Sequence, residues 1–373
     1  MKHGVEQAGS LAFVWDNFGP LHVDRCEEVA RHFGGRRSVI GLELSARSQT
    51  YDWLNPPAIG FTKETLFGSI RTSEWSIYWR LVNRLLHHKV SAVFFCHYQR
   101  PAILAAAWTM RLLGKHVFSL NDSKFDDYRR YLWREIGKWF FFSPYLGAIA
   151  ASPRCSDYLR FLGVPENRIV LGVYALSADR IRGQLGSDFV PPEFAKRTFT
   201  VISRLVRKKN IVVALEAFAL LPQTIRARRL LVCGSGPLEG VLKARAVELG
   251  IAKQVEFHGF VQSEGISKIL GSTLALLLPS VEEQFGQVVE EAQAVGVPVI
   301  LSPQCGAADE LVRSAVHGFV CEADNPGGLA WMMSRLSEDE ALWTRMSSAA
   351  LANEALYGIR RFSAAVEALL GSK

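Results

Sequence analysis

The sequence lacks the cysteine spacings that hold metals or support dithiol redox chemistry. Six cysteines are scattered over 373 residues, at positions 26, 96, 155, 233, 305 and 321. None forms a Cys-x-x-Cys pair, which argues against a zinc ribbon or a redox dithiol. Thiols spread in this way are typical of reduced, packed cysteines, and we therefore predict a cytoplasmic protein.

The sequence also lacks a hydrophobic run long enough to cross a bilayer. A spanning helix needs about 18 or more apolar residues, and runs such as residues 102–108 are far shorter. Residues 1–19 contain no apolar stretch of signal-peptide length. These absences predict a soluble protein or one bound to the inner face of a membrane.

An excess of positive charge is confined to the first half. Residues 1–185 contain 24 Lys and Arg against 16 Asp and Glu, whereas residues 186–373 contain 19 against 20. A surface that faces an anionic membrane or an acidic substrate would explain this excess. Ordinary solvated surface charge would explain it equally well, and both interpretations stay open.

What is present is an alternation of short apolar runs with longer helical patterns. Strands are predicted at residues 10–16, 38–44, 91–97, 116–122, 147–152, 198–204, 229–234, 254–260, 274–280 and 297–302. Helices are predicted at residues 23–33, 102–113, 126–142, 211–221, 238–249 and 352–370, and from about residue 287. This alternation is typical of parallel α/β sheets, so we predict two doubly wound, Rossmann-like domains.

The pattern lapses at residues 181–197, where glycine, a Pro-Pro pair and charge replace periodicity. Such a stretch is typical of a linker. It would join an N-terminal domain, residues 1–180, to a C-terminal domain, residues 198–351. Ligands of doubly wound sheets bind beyond the carboxyl ends of strands, so the expected site is a cleft between the domains.

Two pairs of glutamates lie in SVEEQFGQVVEEAQAVGVPVI, residues 280–300. If a helix starts near Gly286, the apolar residues at 288, 292 and 295 share one face and Glu291 lies beside it. Glu290 then falls on the polar side and is predicted to be solvated. Glu283 follows a strand and precedes the backbone N–H groups of the helix start, which suit an anion or a hydroxyl. Capping and solvation would explain Glu283 but account poorly for Glu291.

Residues 279–312 resemble the signature of glycosyltransferase family 4, retaining enzymes of the GT-B fold. The family has two glutamates separated by seven residues, with Phe-Gly after the first and Gly-x-Pro-Val-Ile after the second. Glu283, Glu291 and residues 296–300 match this pattern. The resemblance implies that Glu283 contacts the donor sugar and that Glu291 holds the ribose of the nucleotide.

A second match is SRLVRKKN, residues 203–210, which is similar to the family's Gly-Arg-Leu-x-x-x-Lys motif. It assigns Arg204 and Lys209 to the donor diphosphate, although Ser203 stands where the family usually has glycine. Two cations can neutralise a leaving diphosphate without a metal. Because the chain also has no Asp-x-Asp, no metal and no cofactor is predicted.

A competing pattern is GSGPLEG, residues 234–240, which follows a predicted strand. With Glu256 further on it resembles a dinucleotide fingerprint. Its third glycine comes one position late, so we favour the glycosyltransferase over a nicotinamide enzyme.

The first half matches the family only loosely. Gly19 lies in the first loop, where the resemblance implies glycines near the donor phosphates, although the family's usual double glycine is absent. His97 ends a predicted strand, and the resemblance implies that it stabilises the sugar or assists proton transfer; a structural role is equally open. Asp122, beside Asn121, would orient an acceptor hydroxyl or cap the next helix, and we favour the cap slightly.

The basic and aromatic segment at residues 129–146 is also ambiguous. It is typical of helices that lie on membranes. It is also typical of a core helix with a charged outer face, which we favour slightly.

The predicted activity is retaining, metal-independent transfer of a hexose from a UDP- or GDP-sugar to a glycan or lipid-linked acceptor of the cell envelope. Alternatives are a small natural product as acceptor, or a catalytically idle nucleotide-sugar-binding subunit. No nucleic-acid partner is predicted, and the last segment, residues 352–373, is expected to cross back onto the first domain as in the fold family. The predicted catalytic residues are Glu283, His97, Arg204 and Lys209. The predicted donor-binding residues are Gly19, Phe285, Gly286, Gln287, Val288, Glu291, Gly234 and Val261, and the acceptor candidates are Asp122 and Asn121.

Overall fold

A computed structural model of the chain describes residues 9–46, 57–68 and 72–371. The chain divides into two compact units. The first contains the chain up to Phe125, Arg129–Leu176 and the chain from Ile359 onward. The second contains Ser177–Gly358, together with Asp126–Tyr128. The predicted linker, residues 181–197, therefore belongs to the second unit.

Within the described residues, the first unit contains a parallel sheet of seven strands. The strands are β1 (Ser10–Trp15), β2 (Val39–Ser45), β3 (Thr62–Phe67), β4 (Val90–Phe95), β5 (His116–Asn121), β6 (Gly147–Ala150) and β7 (Ile169–Leu171). The helices between them are α1 (Pro20–Phe33), α2 (Glu74–His87), α3 (Pro101–Leu112), α4 (Leu132–Phe142) and α5 (Pro153–Phe161).

The strand order of this sheet is β3-β2-β1-β4-β5-β6-β7. β1 and β4 are buried almost throughout, as expected for central parallel strands covered by helices on both faces. The winding reverses between these two strands. Such a switch point leaves a crevice at the carboxyl ends of the strands, where ligands of doubly wound sheets bind.

The second unit begins with α6 (Ala178–Gly183) and has a six-stranded parallel sheet in its described residues, with the order β10-β9-β8-β11-β12-β13. The strands are β8 (Thr198–Ile202), β9 (Leu230–Cys233), β10 (Val255–Gly259), β11 (Thr273–Leu278), β12 (Val299–Leu301) and β13 (Gly318–Val320). The helices are α7 (Ile211–Leu220), α8 (Gln223–Arg226), α9 (Glu239–Glu248), α10 (Ser263–Gly271), α11 (Val288–Ala294), α12 (Pro326–Glu338), α13 (Glu340–Ala352) and α14 (Glu354–Tyr357). The winding reverses between β8 and β11.

The predicted final helix, residues 352–370, is broken in the structure. Gly358 has an extended backbone after α14, and a separate helix, α15 (Arg360–Gly371), follows. α15 lies in the first unit and packs on α1 and β7. Gly172, which follows β7, lets the backbone of Arg361 approach closely, because a Cβ atom there would lie 3.1 Å from the Arg361 carbonyl oxygen.

Helix α4 is shorter than the predicted helix 126–142. A short 3-10 turn, Phe125–Asp127, precedes it. Across residues 9–46, 57–68 and 72–371, no helix combines the length and the apolar character that crossing a bilayer requires.

Candidate active site

The carboxyl ends of β8 and β11 bring two of the predicted catalytic residues into contact. Lys209 ends a 3-10 turn, Arg207–Lys209, in the connection after β8, and Glu283 follows β11. The Lys209 ammonium forms an ion pair with the Glu283 carboxylate, and the two side chains are only 11% and 12% exposed. The pair therefore lies at the switch point of the second sheet.

The turn that carries Lys209 is fixed from both sides. The backbone N–H of Val281 donates to the Lys208 carbonyl oxygen at 2.9 Å, and the Lys208 ammonium lies 2.7 Å from a carboxylate oxygen of Glu282. Asn210 ends the turn in the left-handed region, with φ of +51°, and its side-chain amide donates to the Ala323 carbonyl oxygen at 2.7 Å. The position of the Lys209 backbone is thus set by the surrounding loops.

Gly234 holds the loop of Arg204 in place by close backbone packing. Its φ is +142°, and a Cβ atom there would lie 1.8 Å from the Ser203 carbonyl oxygen. The Leu205 N–H donates to the Ser235 carbonyl oxygen at 2.9 Å, so the loops after β8 and β9 run side by side. A Cβ atom at Gly236 would likewise lie 2.5 Å from the Leu205 carbonyl oxygen, so the first two glycines of GSGPLEG have a packing explanation that does not require a dinucleotide.

The predicted orientation of the helix with the second glutamate pair is wrong. Glu290 is fully buried in α11, whereas Glu291 is partly exposed. The helix starts at residue 288, and α6, α13 and α14 pack on it. The side that faces inward contains residues 289, 292 and 293, whereas residues 288 and 295 are partly exposed. Glu290 is therefore a core carboxylate, and Glu291 is the more accessible of the two.

Polar and charged side chains of α6 and α14, two helices that pack on α11, lie near Glu290. The Arg182 guanidinium lies 2.9 Å from a Glu354 carboxylate oxygen and donates to the Ala294 carbonyl oxygen at 2.9 Å. Burial, followed by the nearby Glu354 and Glu290 carboxylates, raises the pKa of Tyr357 to about 12, against the opposing charge of Arg182. This group lies beneath the helix that carries Glu291.

The switch point of the first sheet holds His97. Asp16 follows β1 and His97 follows β4, and these neighbouring parallel strands end at the same edge. The His97 Nε2 lies 3.5 Å from an Asp16 carboxylate oxygen, and Arg100 lies 2.9 Å from the other oxygen. Arg100 is in turn paired with Glu74 at 2.7 Å. His97 thus belongs to a chain of alternating charges.

His97 is held as a cation in this cluster. The electrostatic interaction with Cys96, followed by the hydrogen bond between these two side chains and by the carboxylates of Asp16 and Asp122, raises the pKa of His97 to about 10 despite the opposing effect of burial. Its backbone is in the left-handed region, with φ of +58°, which is uncommon for a residue with a side chain. A protonated imidazole stabilises negative charge but does not accept a proton. Between the two roles implied for His97, its charge favours stabilisation.

A comparison with known families finds a match over most of the second unit. Residues 190–352 match the family model of glycosyl transferases group 1. This segment contains Arg204, Lys209, Glu283 and Glu291.

The curated relatives match part of the chain. The D-inositol 3-phosphate glycosyltransferase of Streptomyces griseus is 31% identical over 213 residues, which are 55% of this chain and 42% of that protein. The chain spans less than half the length of the curated relatives it matches. The sequence likeness thus covers part of each relative and not a whole protein.

Solved structures match nearly the whole chain in fold. Anabaena HepE, crystallised with UDP and glucose, has a TM-score of 0.75 at 16% identity and covers 98% of this chain and 100% of its own. The sucrose-phosphate synthase of Thermosynechococcus elongatus has a TM-score of 0.76 at 16% identity and covers 97% and 98%. At this identity the likeness shows the fold, which is α/β with GT-B architecture and two Rossmann-like units.

The remaining donor-binding predictions in the group 1 segment stay predictions. Phe285 is buried, its carbonyl oxygen accepts from the Ala307 N–H at 2.9 Å, and Gly286 has φ of +97°. α11 starts directly after Gln287 and includes Val288. Val261 follows β10 and lies against Gly265 of α10. All of these positions follow strands at the carboxyl edge of the second sheet or begin the next helix.

Gly19 is tied to its own helix. Its N–H donates to Nδ1 of His22 at 3.0 Å, where it starts α1 as the N-cap. Burial, followed by the charges of Arg25, His97 and Lys63, lowers the pKa of His22 well below its usual range, so the ring is neutral. The Gly19 N–H therefore already has an acceptor within the chain, which weakens the prediction of a phosphate contact there.

Asn121 and Asp122 have structural partners. The Asn121 side-chain oxygen accepts from the Ser123 N–H at 2.9 Å, and the Tyr174 hydroxyl donates to the Asp122 carboxylate at 2.6 Å. Asp122 does not cap the next α-helix, because α4 begins much later, with Tyr131 at its N-cap. The cap that we favoured is thus wrong, and the role toward an acceptor stays a prediction.

Three site residues of the first unit were missed by sequence reasoning: Asp16, Arg100 and Glu74. Asp16 had a usable signal, since it ends the predicted first strand at the sheet edge where ligands bind. The pairing of Arg100 with Glu74 joins the starts of α3 and α2, and nothing in the local sequence indicates it. Such a contact depends on the order of the strands.

Proposed function

We propose that this protein transfers a sugar from a nucleotide-activated donor to the hydroxyl group of an acceptor, with retention of anomeric configuration. The observation that supports the proposal is the ion pair of Lys209 and Glu283 at the switch point of the second sheet, inside the segment that matches group 1 glycosyl transferases. A cation and a carboxylate held together at a strand end suit a substrate that is anionic at one end and rich in hydroxyl groups at the other.

The proposed chemistry assigns one role to each side chain. Lys209 and Arg204 compensate the negative charge that develops on the leaving nucleoside diphosphate, a form of electrostatic stabilisation that acts strongly where water is excluded. Glu283 orients Lys209 through their ion pair and accepts hydrogen bonds from the sugar hydroxyls. Glu291, partly exposed on α11, holds the ribose. Retention and independence from metals rest on the family resemblance.

The cationic His97 would act on the sugar or its acceptor. Because its proton is retained near neutral pH, it would stabilise developing negative charge and would not serve as the base. The acceptor in this proposal is a glycan or a lipid-linked glycan, and UDP-glucose is the first donor to test, since HepE, which has the same fold, was crystallised with UDP and glucose.

The test uses two adjacent lysines, Lys208 and Lys209, which pair with two adjacent glutamates, Glu282 and Glu283. Lys209→Ala should weaken the binding of UDP- or GDP-sugar at least tenfold, whereas Lys208→Ala, which breaks the more exposed pair with Glu282, should change it less than threefold. A thermal-shift panel of UDP-, GDP- and ADP-sugars identifies the donor, because a ligand at 100 times its Kd adds about 2.7 kcal/mol to the free energy of unfolding.

Two results would contradict the proposal. Equal losses of affinity in the two lysine variants would show that the Lys209–Glu283 pair has no special role. Donor binding without any hydrolysis or transfer would favour the catalytically idle binding subunit. Where transfer occurs, the anomeric configuration of the product, measured by NMR, tests retention.

A further inference from the structure

Helix α4 of the first unit sits with its charged side facing inward. The Glu135 side chain is 3% exposed, and its carboxylate accepts hydrogen bonds from the buried Tyr158 hydroxyl and from Lys138, the latter at 2.9 Å. Arg130, just before the helix and 2% exposed, lies 3.4 Å from the same carboxylate and donates to the Tyr158 hydroxyl at 2.6 Å. This buried group of charges fixes which side of α4 points outward.

The outward side of α4 is apolar and aromatic. Five side chains of this face are between 56% and 69% exposed: Leu132, Trp133, Ile136, Trp139 and Phe140. A surface helix normally buries its apolar stripe and exposes its charges, and α4 does the reverse. Single exposed apolar residues are ordinary, but a continuous apolar face of this kind marks an interaction surface. The earlier interpretation of a core helix with a charged outer face is therefore wrong.

The same side of the sheet carries further exposed aromatic residues. α2, α3 and α4 connect strands that advance in one direction along the sheet, so right-handed crossovers place them on one face. The Phe140 ring lies 6.2 Å from that of Trp108 on α3. On α2, Trp75 and Trp79 are exposed and contact each other. The apolar face of α4 thus belongs to a side of the first unit that carries further aromatic residues.

Exposed arginines border this face. Arg134 lies over the rings of Tyr131 and Trp133, at 5.4 and 5.0 Å from their centroids, and Arg129 lies 5.8 Å from the Tyr131 ring. Both arginines are exposed, with Asp126 as an exposed acid nearby. Aromatic rings with polar tips beside arginines suit the boundary between lipid acyl chains and head groups.

We propose that the outward face of α4 lies on an anionic lipid bilayer, with its aromatic side chains among the acyl chains and Arg129 and Arg134 at the phosphate level. α4 has 11 residues, so it is far too short to span the bilayer and would lie in its plane. A second copy of the chain fits this surface less well, because a twofold contact would bring the arginines of each copy close to one another. The proposal does not depend on the sugar-transfer function.

The experiment is flotation of the full-length protein with two kinds of vesicle. One kind contains phosphatidylcholine alone, and the other also contains about 30% phosphatidylglycerol, which makes its surface anionic. We expect binding to the anionic vesicles and its loss at about 1 M salt, where screening leaves only short-range attraction. The double substitution Trp133→Ser and Ile136→Ser should reduce binding at least tenfold. Trp331→Ser, at a tryptophan on α12 that is 60% exposed, is the matched control and should not change it.

A second pair of variants separates charge from folding. Arg134→Glu leaves the apolar face intact and should lower binding to anionic vesicles by at least about fivefold, as expected for one basic residue near an anionic surface. Lys253→Glu, an exposed lysine of the second unit, should have no effect. Thermal melts and UDP-sugar binding of all variants should match the unmodified protein, since these side chains lie outside the proposed donor site.

Three outcomes would overturn the proposal. The first is no flotation of the unmodified protein with anionic vesicles, and the second is equal flotation of the face variants and the controls. The third is a dimer in analytical ultracentrifugation that the Trp133→Ser and Ile136→Ser substitutions dissociate, which would assign the face to a second copy. If the unmodified protein floated with anionic vesicles but transferred no sugar, the result would count against the proposed function alone.

Discussion

At the scale of single residues, Glu290 and Glu291 show how adjacent carboxylates acquire opposite environments. Glu290 is enclosed by helices with Tyr357 and Arg182 nearby, and Glu291 is partly open on the same helix. The spacing from Glu283 identified Glu291 as the residue that matches the family motif. The apolar spacing of the helix favours the same residue but predicts the wrong inward side, because a seven-residue helix has too few positions to determine that side.

The two glutamates should therefore separate stability from binding. Glu290→Ala removes a fully buried side chain together with its contacts, and we expect the free energy of unfolding to fall by about 1–3 kcal/mol. Glu291→Ala should leave the midpoint of denaturant unfolding almost unchanged and weaken nucleotide binding. Chemical denaturation and nucleotide titration of both variants check this, and unchanged stability in Glu290→Ala would contradict the burial argument.

His97 should make stability depend on pH in the alkaline range. Its pKa rises from 6.5 to about 10 on folding, so the folded state binds the proton more tightly than the unfolded chain. The resulting stabilisation is complete below pH 6.5 and is lost as the pH rises toward 10. Denaturant unfolding at pH 6 to 10 should show a gap between the unmodified protein and His97→Asn that shrinks with pH. A gap that stays constant between pH 7 and 10 would mean that the histidine is neutral in the folded protein.

At the scale of elements, the central apolar strands were predictable and the edges were not. β1, β4 and β11 are nearly continuous apolar runs because helices cover both their faces. β3, with the sequence TKETLF, is mostly polar and only partly buried at the edge of its sheet, and β7 and β13 have three residues each. Such edge strands form because an adjacent strand offers backbone hydrogen bonds. They are hard to predict because their own sequence contains little information about that adjacent strand.

The outward orientation of α4 could not be predicted for a similar reason. Its sequence fits an amphipathic helix whichever side faces the protein. What orients it is the buried contact of Glu135 with Tyr158, a residue of α5 that is distant in sequence. The candidate donor residues were easier to identify because they lie in short motifs that follow central strands.

Gly234 provides a test of the element that positions Arg204. Gly234→Ala would place a Cβ atom 1.8 Å from the Ser203 carbonyl oxygen at a φ of +142°, so the two loops must separate. We expect a loss of at least about 2 kcal/mol in unfolding free energy and weaker nucleotide binding. Gly240→Ala is the control: it lies inside α9 with open space around it, and the helix should gain up to about 1 kcal/mol. Denaturant melts of the two variants decide between these expectations, and equal effects would refute the packing role.

At the scale of the whole molecule, the chain builds each unit around its own sheet. Ser177–Gly358 forms the second unit with a parallel sheet and a hydrophobic core that includes Phe199, Val232 and Leu277. The first unit is completed only when the chain returns as α15, which packs on α1 and β7. During synthesis, the second unit therefore has all of its residues before the first unit does, although the first unit begins earlier in the chain.

This connectivity predicts different behaviour for two fragments. A fragment of residues 177–358 has a complete sheet, a complete core and all four donor residues of the group 1 segment, so it should unfold cooperatively and bind the donor nucleotide. A fragment of residues 1–176 lacks α15. It therefore lacks the buried side chains of Phe362, Val366 and Leu369, which complete the core of the first unit, and it should be much less stable. Adding residues 359–373 as a separate peptide should raise its melting temperature. Circular dichroism melts measure both effects, with Lys209→Ala as the binding control in the first fragment. If the 177–358 fragment failed to fold while the 1–176 fragment folded alone, the division of the chain argued from its cores would be wrong.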